Sequence, residues 1–388
     1  METLTVVYNF DSPPSRRGTL CYKWDCKPGE LPMWIADMDF ETAPEIRAAL
    51  QRRLDHGIYG YDDMGPAWYE AYIGWWRDRH GLTMEKEHLI FSAGVVASIS
   101  SLVRKLTTPN ENVLIQTPVY NIFFNSIVNN GCRVLESPLR RDGELWTIDF
   151  ADLEAKLADP QTTLMILCNP HNPVGRIWTR EELARIGELC RRHHVTVISD
   201  EIHCDLTVPA KGYVPFAAVD DCCRGISLTC IAPTKTFNLA GMHSSAVYAA
   251  DPLLRHKARR ALNTDEVAEP NTFAAPAAVA AFTQGGPWLD ALRAYVWENK
   301  RLVKDFAERE LPGVKVSVSE ATYLLWVDVS ALTDDVKDFT ARLRAETGLW
   351  VTPGTAYGQT GEGFFRMNLA CPRAAAEDAL GRLKRFIG

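Results

Sequence analysis

Three apolar runs of strand length, each stopping at a polar residue, leave this chain few ways to fold. Thr163 to Cys168 runs into Asn169-Pro170-His171-Asn172-Pro173-Val174-Gly175. Val195 to Asp200 ends in a carboxylate and continues through Glu201 and Ile202 to His203. Gly225 to Ile231 leads into Thr234, Lys235 and Thr236. Between the first two runs, Leu183, Ile186, Leu189 and Cys190 recur at helical spacing behind Thr179, which has an acid, Glu182, three residues on. Strand, helix and strand in this order form a crossover, and crossovers build parallel sheets with helices on both faces. Such sheets bind ligands beyond the carboxyl ends of their strands, so Asn172, Asp200, His203 and Lys235 are expected together at one edge.

Lys235 is the only charged residue between Ile231 and Gly241. A buried amine is costly to keep charged, so its pKa falls and it becomes the nucleophile that Schiff-base formation with an aldehyde requires. The alternative is a lysine snorkelling at a strand end. A second anchor precedes it: Phe91 to Gly94 is a glycine turn before a helix whose apolar face is Ile99, Leu102, Val103 and Leu106. A helix start offers unpaired amides and a positive dipole end, which favours an anion such as phosphate; a packing glycine is the other reading of Gly94.

Asn-Pro-His-Asn-Pro-Val-Gly (169–175), Ser-Asp-Glu-Ile-His (199–203) and Thr-Lys-Thr-Phe-Asn-Leu-Ala-Gly (234–241), in this order, are similar to the pyridoxal 5′-phosphate (PLP) enzymes of fold type I, the aspartate aminotransferase superfamily. Within it, Met33 to Phe40, Tyr59-Gly60-Tyr61 and Phe365 to Arg373 resemble the MalY/PatB group of cystathionine β-lyases, or C-S lyases. The resemblance runs from about Lys23 to the C-terminus. It implies an α/β fold, the PLP-dependent transferase type, with a large, mixed, mostly parallel seven-stranded sheet domain and a smaller α+β domain. It also implies a homodimer with active sites at the subunit interface.

The same resemblance implies roles. Lys235 joins the cofactor covalently and then acts as general base. Asp200 faces the pyridine nitrogen, and Asn172 and His203 face the phenolic oxygen; His203 could instead cap its strand. Tyr120 stacks on the ring or packs in the core. The Gly94, Val95 and Val96 amides, Thr234 and His243 hold the phosphate, joined by Tyr61 of the neighbouring subunit, with Tyr59 as its substitute. Arg366 clamps the substrate carboxylate, against the alternative of an internal salt bridge, and Asp37 lines the substrate pocket with Tyr61. Many superfamily members place serine three residues before the lysine and arginine eight after it, where this chain has Ala232 and His243. Loss of that arginine removes a permanent charge and a two-point clamp.

At 388 residues the chain exceeds what one core usually serves, and the pattern changes at Gly285-Gly286-Pro287. A large PLP-binding domain over 45–285 and a small domain made of 1–44 plus 286–388 are therefore expected. The small one contains strands at Val314 to Val318, Tyr323 to Val329 and Phe364 to Leu369. A net charge of −7 without a basic block speaks against nucleic acid. The ten cysteines are scattered, without the pair of pairs that marks a metal site, so no metal is expected. Met1 to Leu4 lacks the order of a signal peptide and no apolar run approaches the ~18 residues of a membrane span, so a cytoplasmic protein with a small-molecule partner is expected. Residues 1–30 read as an irregular arm. Trp34 to Phe40 reads as a short strand with its acids outward, or, by the resemblance, as a wall of the pocket. Pro66 to His80 reads as a helix with Trp68, Tyr72, Trp75 and Trp76 in a core or interface.

The expected activity is that of a cysteine-S-conjugate or cystathionine β-lyase, giving a thiol (homocysteine from cystathionine), pyruvate and ammonia. The alternatives are a PLP-dependent aminotransferase and a MalY-like regulatory protein acting by protein contact.

Overall fold

The computed structural model of the protein describes residues 8–388. Met1 to Val7, on which the leader-peptide reading rests and with which the small-domain arm begins, lie outside the described residues.

Seven strands form the central sheet, in the spatial order Leu89–Ser92, Ser245–Tyr248, Ser227–Ile231, Thr196–Asp200, Thr162–Cys168, Asn112–Ile115 and Arg133–Glu136. Ser245–Tyr248 runs antiparallel to both of its neighbours, and the remaining pairings are parallel. Side chains alternate across the sheet as the pleat requires. Val113, Ile115, Leu164, Ile166 and Ile198 face a core closed by the helices Val95–Leu106 and Pro252–Thr264. Leu114, Met165, Leu167 and Val197 face a second core closed by Arg180–Arg192. Both faces are covered, which is why these strands read as continuous apolar runs. The crossover helix starts on the expected capping box: the Thr179 hydroxyl accepts from Glu182 N–H, and the Glu182 carboxylate accepts from Thr179 N–H.

The helix Pro66–His80 has proline at its start and left-handed Gly81 (φ 68°) at its end, and its Trp68, Tyr72, Trp75 and Trp76 lie in an aromatic core with Phe282 and Trp288. The long helix Gly286–Glu310 leaves that core and reaches a fourth one, built on the four-stranded antiparallel sheet Lys315–Val316, Leu324–Asp328, Phe364–Asn368 and Thr352–Pro353. Residues Leu31–Pro32 pair in parallel with Leu349–Trp350, tying the N-terminal arm to the C-terminal part. No helix among the described residues is long and apolar enough to cross a membrane.

The expected strand at Trp34 to Phe40 is not there. Its carbonyls accept from distant side chains instead of from a neighbouring strand: Trp34 O from Thr352 and Arg366, Ile35 O from Asn368, Asp37 O from Asn368 and Lys23, and Met38 O and Phe40 O from Asn238. Nor do its acids point outward. Asp39 is buried, paired at 2.8 Å with the buried Lys23 and bonded to Trp24 Nε1, while Asp37 pairs with Arg16 at 2.7 Å. The arm therefore staples this segment in place.

Candidate active site

At the carboxyl edge of the central sheet the ends of its strands and the start of helix Val95–Leu106 enclose a cavity of about 370 Å³. Lys235 opens onto it from the turn after Ser227–Ile231, and its Nζ donates to Ala36 O of the stapled segment. Burial pulls the amine down to about 8; the carboxylates of Asp37 and Asp200 oppose that fall and Arg366 adds to it. The snorkelling alternative fails because the amine turns inward.

Asp200 ends its strand facing the same space. It is buried, its Oδ1 accepts only from Ile202 N–H at 3.1 Å, and among the described residues no cation lies within ion-pair distance of it. Burial pushes it up to about 7. A folded-state pKa above the ordinary 3.8 means that the folded protein holds a proton which the unfolded chain has released, so stability falls as pH rises from 3.8 through 7 and the loss is complete above 7. In cofactor-free protein, Asp200→Asn is therefore expected to be stabilising, with an advantage that grows by roughly 2–3 kcal/mol between pH 5 and pH 8. Urea unfolding at the two pH values measures it; an advantage independent of pH contradicts the assignment of a buried, unpartnered carboxylate.

Arg366 stands in the middle of strand Phe364–Asn368 and reaches back to the large sheet. Nη1 donates to Asn172 Oδ1 at 3.2 Å, Nη2 donates to Trp34 O at 3.1 Å, the Tyr357 ring lies 4.7 Å from the guanidinium, and Nε has no partner. Among the described residues no carboxylate lies within 4 Å of it, so the internal salt bridge is not formed. A buried guanidinium held by neutral acceptors calls for an anion.

His203 is buried with Nδ1 unpartnered, its pKa driven well below the usual imidazole range by burial and then by Lys235, Arg366 and Lys300; it is a neutral imidazole rather than a strand cap. Tyr120 presents its ring to the cavity, its phenol pushed up to about 12 by burial. Asn172 lines the cavity beside them.

The opposite end suits an anion. Gly94 precedes the helix in an extended conformation, with open space where a side chain would stand. The first main-chain bond of the helix is that from Ser98 N–H to Gly94 O, so the amides of Val95, Val96 and Ala97 precede its ladder. Thr234 and His243 line the same end, His243 from a left-handed turn (φ 47°). Ala232 is packed in the apolar core and does not line the cavity. An amide cradle, a lowered amine, an aromatic face and a buried carboxylate without a cation fit a phosphorylated pyridine aldehyde.

Two expected residues stand apart. Tyr61 is fully exposed and does not line the cavity of its own chain; Tyr59 donates to Leu54 O. Asp37 is held by Arg16 at the edge. Sequence reasoning missed the Ala36 carbonyl, the staple from Arg16 and Lys23, and Tyr357 beneath Arg366. Tyr357 belongs to a loop without periodic pattern, and backbone carbonyls leave no mark in a sequence.

Known proteins are similar to this chain over nearly its full length. The profile of aminotransferase class I and II matches residues 31–383. Cystathionine β-lyase PatB of Bacillus subtilis is 44% identical over 383 residues, covering 97% of this chain and 99% of that protein. Protein MalY of Escherichia coli is 33% identical, covering 97% and 98%. The solved structure of cystalysin from Treponema denticola, which contains a pyridoxal 5′-phosphate cofactor, superposes with a TM-score of 0.95 at 32% identity, over 98% of this chain and 99% of that one. With the family profile, the fold and near full-length similarity in agreement, the chain belongs to the aminotransferase class I and II family, alongside PatB and MalY.

Proposed function

We propose that the protein is a PLP-dependent cystathionine or cysteine-S-conjugate β-lyase, cleaving the bond between Cβ and sulfur to release a thiol, pyruvate and ammonia. The observation that carries this reading is one cavity holding a lowered amine and a buried carboxylate without a cation, with a buried guanidinium without an anion bonded to Asn172 of its wall. When bound, the cofactor supplies an electron sink for the pair left at the substrate Cα.

The rest is the work of this chain. Lys235 would hold the cofactor, and Val95, Val96, Thr234 and His243 its phosphate. Asp200 would keep a proton on the ring nitrogen, and that positive charge in turn keeps Asp200 ionised. Asn172 and neutral His203 would serve the phenolic oxygen, and Tyr120 the ring face. Arg366 would orient the substrate by its carboxylate, bringing Cα–H toward Lys235. An amine pulled down to about 8 by burial keeps a neutral fraction at mild pH, so it can take that proton as a general base and return one to the departing sulfur. Water then completes the release of pyruvate and ammonia.

Further parts of the reading are a large unit over 45–285, a small unit of 1–44 plus 286–388, a cytoplasmic location, and a homodimer in which Tyr61 and Asp37 complete a neighbour's and its own site respectively. The full exposure of Tyr61 beside exposed Ile58 and Tyr59 supports the dimer.

Incubating holo-protein with L-cystathionine and no keto acid tests the activity. Pyruvate and homocysteine are expected in many-fold excess over protein, from a species sedimenting as a dimer. One-for-one conversion of the cofactor to its amine form would instead make this an aminotransferase, and no conversion at all would favour a regulatory protein.

A further inference from the structure

Asp205 lies in the turn beyond His203, outside the cavity, and is fully enclosed. Its carboxylate is in full use. Oδ1 accepts from Trp75 Nε1 at 3.0 Å and meets His80 Nε2 at 2.8 Å, while Oδ2 accepts from the Thr236 hydroxyl at 3.0 Å. His80, Trp75 and Thr236 together hold its pKa below the usual carboxylate value although burial works against them. Cys204 and, more distantly, Arg293 are further titratable neighbours, and the potential ligand atoms of His80, Cys204 and Asp205 all lie within 4.8 Å of one another. With both carboxylate oxygens occupied, that trio is a hydrogen-bonded structure rather than a vacant metal site.

Trp75 and His80 come from the last two turns of the aromatic helix Pro66–His80, which packs into the core through Trp68, Tyr72, Trp75 and Trp76. The carboxylate thus connects a rigid helix to the residue immediately after Lys235. The lysine side chain has four rotatable carbons and a single contact at its tip, to Ala36 O, so its aim depends on where the backbone of residues 234–236 is fixed. The turn's own main-chain bonds, Phe237 N–H to Pro233 O and Leu239 N–H to Thr234 O, set its shape but do not tie it to the rest of the molecule. Two side chains supply that tie: Asn238 Nδ2 donates to Met38 O and Phe40 O on one side, and the Thr236 hydroxyl, next to Lys235 in the chain, donates to Asp205 on the other.

We propose that Asp205 is a positioning residue for Lys235, acting through Thr236 from a site anchored by Trp75 and His80. This rests on the reading that Lys235 carries the cofactor. It assigns Asp205 no contact with cofactor or substrate. The carboxylate of Asp205 does not tune the amine directly; it determines how deeply the amine sits, and depth governs its titration.

Thr236→Val removes the hydroxyl while keeping the shape of the side chain, and Thr236→Ser restores the hydroxyl. In cofactor-free protein, competitive acetylation across pH, with peptide mapping, reports the titration of Lys235 itself. Thr236→Val is expected to raise that midpoint by about half a unit or more, because an untethered amine gains water. The rate at which added PLP becomes borohydride-trapped on residue 235 is expected to fall by roughly 10-fold. Thr236→Ser should restore both values toward the parent. Asp205→Asn, which keeps the shape and removes the charge that favours the bond, should move both readouts in the same direction and serves should Thr236→Val fail to accumulate.

Melting temperature is measured alongside. A Thr236→Val protein with parental titration and capture rate overturns the proposal, whether or not it melts earlier. If the parent protein itself traps no label on residue 235, the functional reading beneath the proposal has failed, and the two failures are told apart by that control.

Discussion

Lys235→Ala is expected to lower turnover by roughly 10⁴-fold, at the upper end of what one positioned proton-transfer group contributes. The residue has two tasks in the proposed reaction, attachment of the cofactor and movement of the Cα proton, and no second group near it can take over either. His203 is buried and driven far from protonation, and in the proposed reaction Asp200 serves the ring nitrogen. Cofactor should still enter the variant, since the helix start, Asp200 and Tyr120 are untouched, but borohydride should fix none of it to the protein. Stopped-flow product assays with parallel mass mapping measure both effects. A variant that keeps more than a few per cent of parental turnover would show that another base does the work.

Arg366→Met should lower kcat/KM by roughly two to three orders of magnitude. Truncating one member of a buried charged pair costs about 2–5 kcal/mol, and each 1.4 kcal/mol is a factor of ten. The parent geometry explains why the loss should be this large: the guanidinium is already held by Asn172 and Trp34 O, over the Tyr357 ring, so little ordering is needed when a carboxylate arrives. The variant also leaves Asn172 without its donor. KM should carry much of the change, and a substrate analogue without the α-carboxylate should discriminate little between parent and variant. Equal losses with and without that carboxylate would mean that Arg366 supports the fold rather than the substrate.

Much of the large sheet could be read from the sequence because its strands are buried on both faces and end where the chain turns polar. Thr163–Cys168 and Val195–Asp200 were expected within a residue of Thr162–Cys168 and Thr196–Asp200. The helix Pro66–His80 was placed by proline and glycine, whose effects on the backbone are local. Lys235, Asp200 and Asn172 follow from the same logic, since strand ends of one parallel sheet share an edge. Trp34 to Phe40 defeated it. Alternation of Asp37 and Asp39 with apolar neighbours has a strand's period, but the partners that decide its shape are Lys23 on one side and Asn238, Thr352, Arg366 and Asn368 on the other. Such side-chain to carbonyl bonds carry no periodicity. Asp205 and Trp75, 130 residues apart, are joined in the same unannounced way. The Tyr61 assignment depends on a surface that only a second copy can cover.

The bond from Arg366 to Trp34 O spans 332 positions of chain. Residues near both termini thus meet beside the pocket, and a fragment that stops short of residue 366 lacks this buried guanidinium, and with it the proposed carboxylate clamp, however well its large sheet has formed.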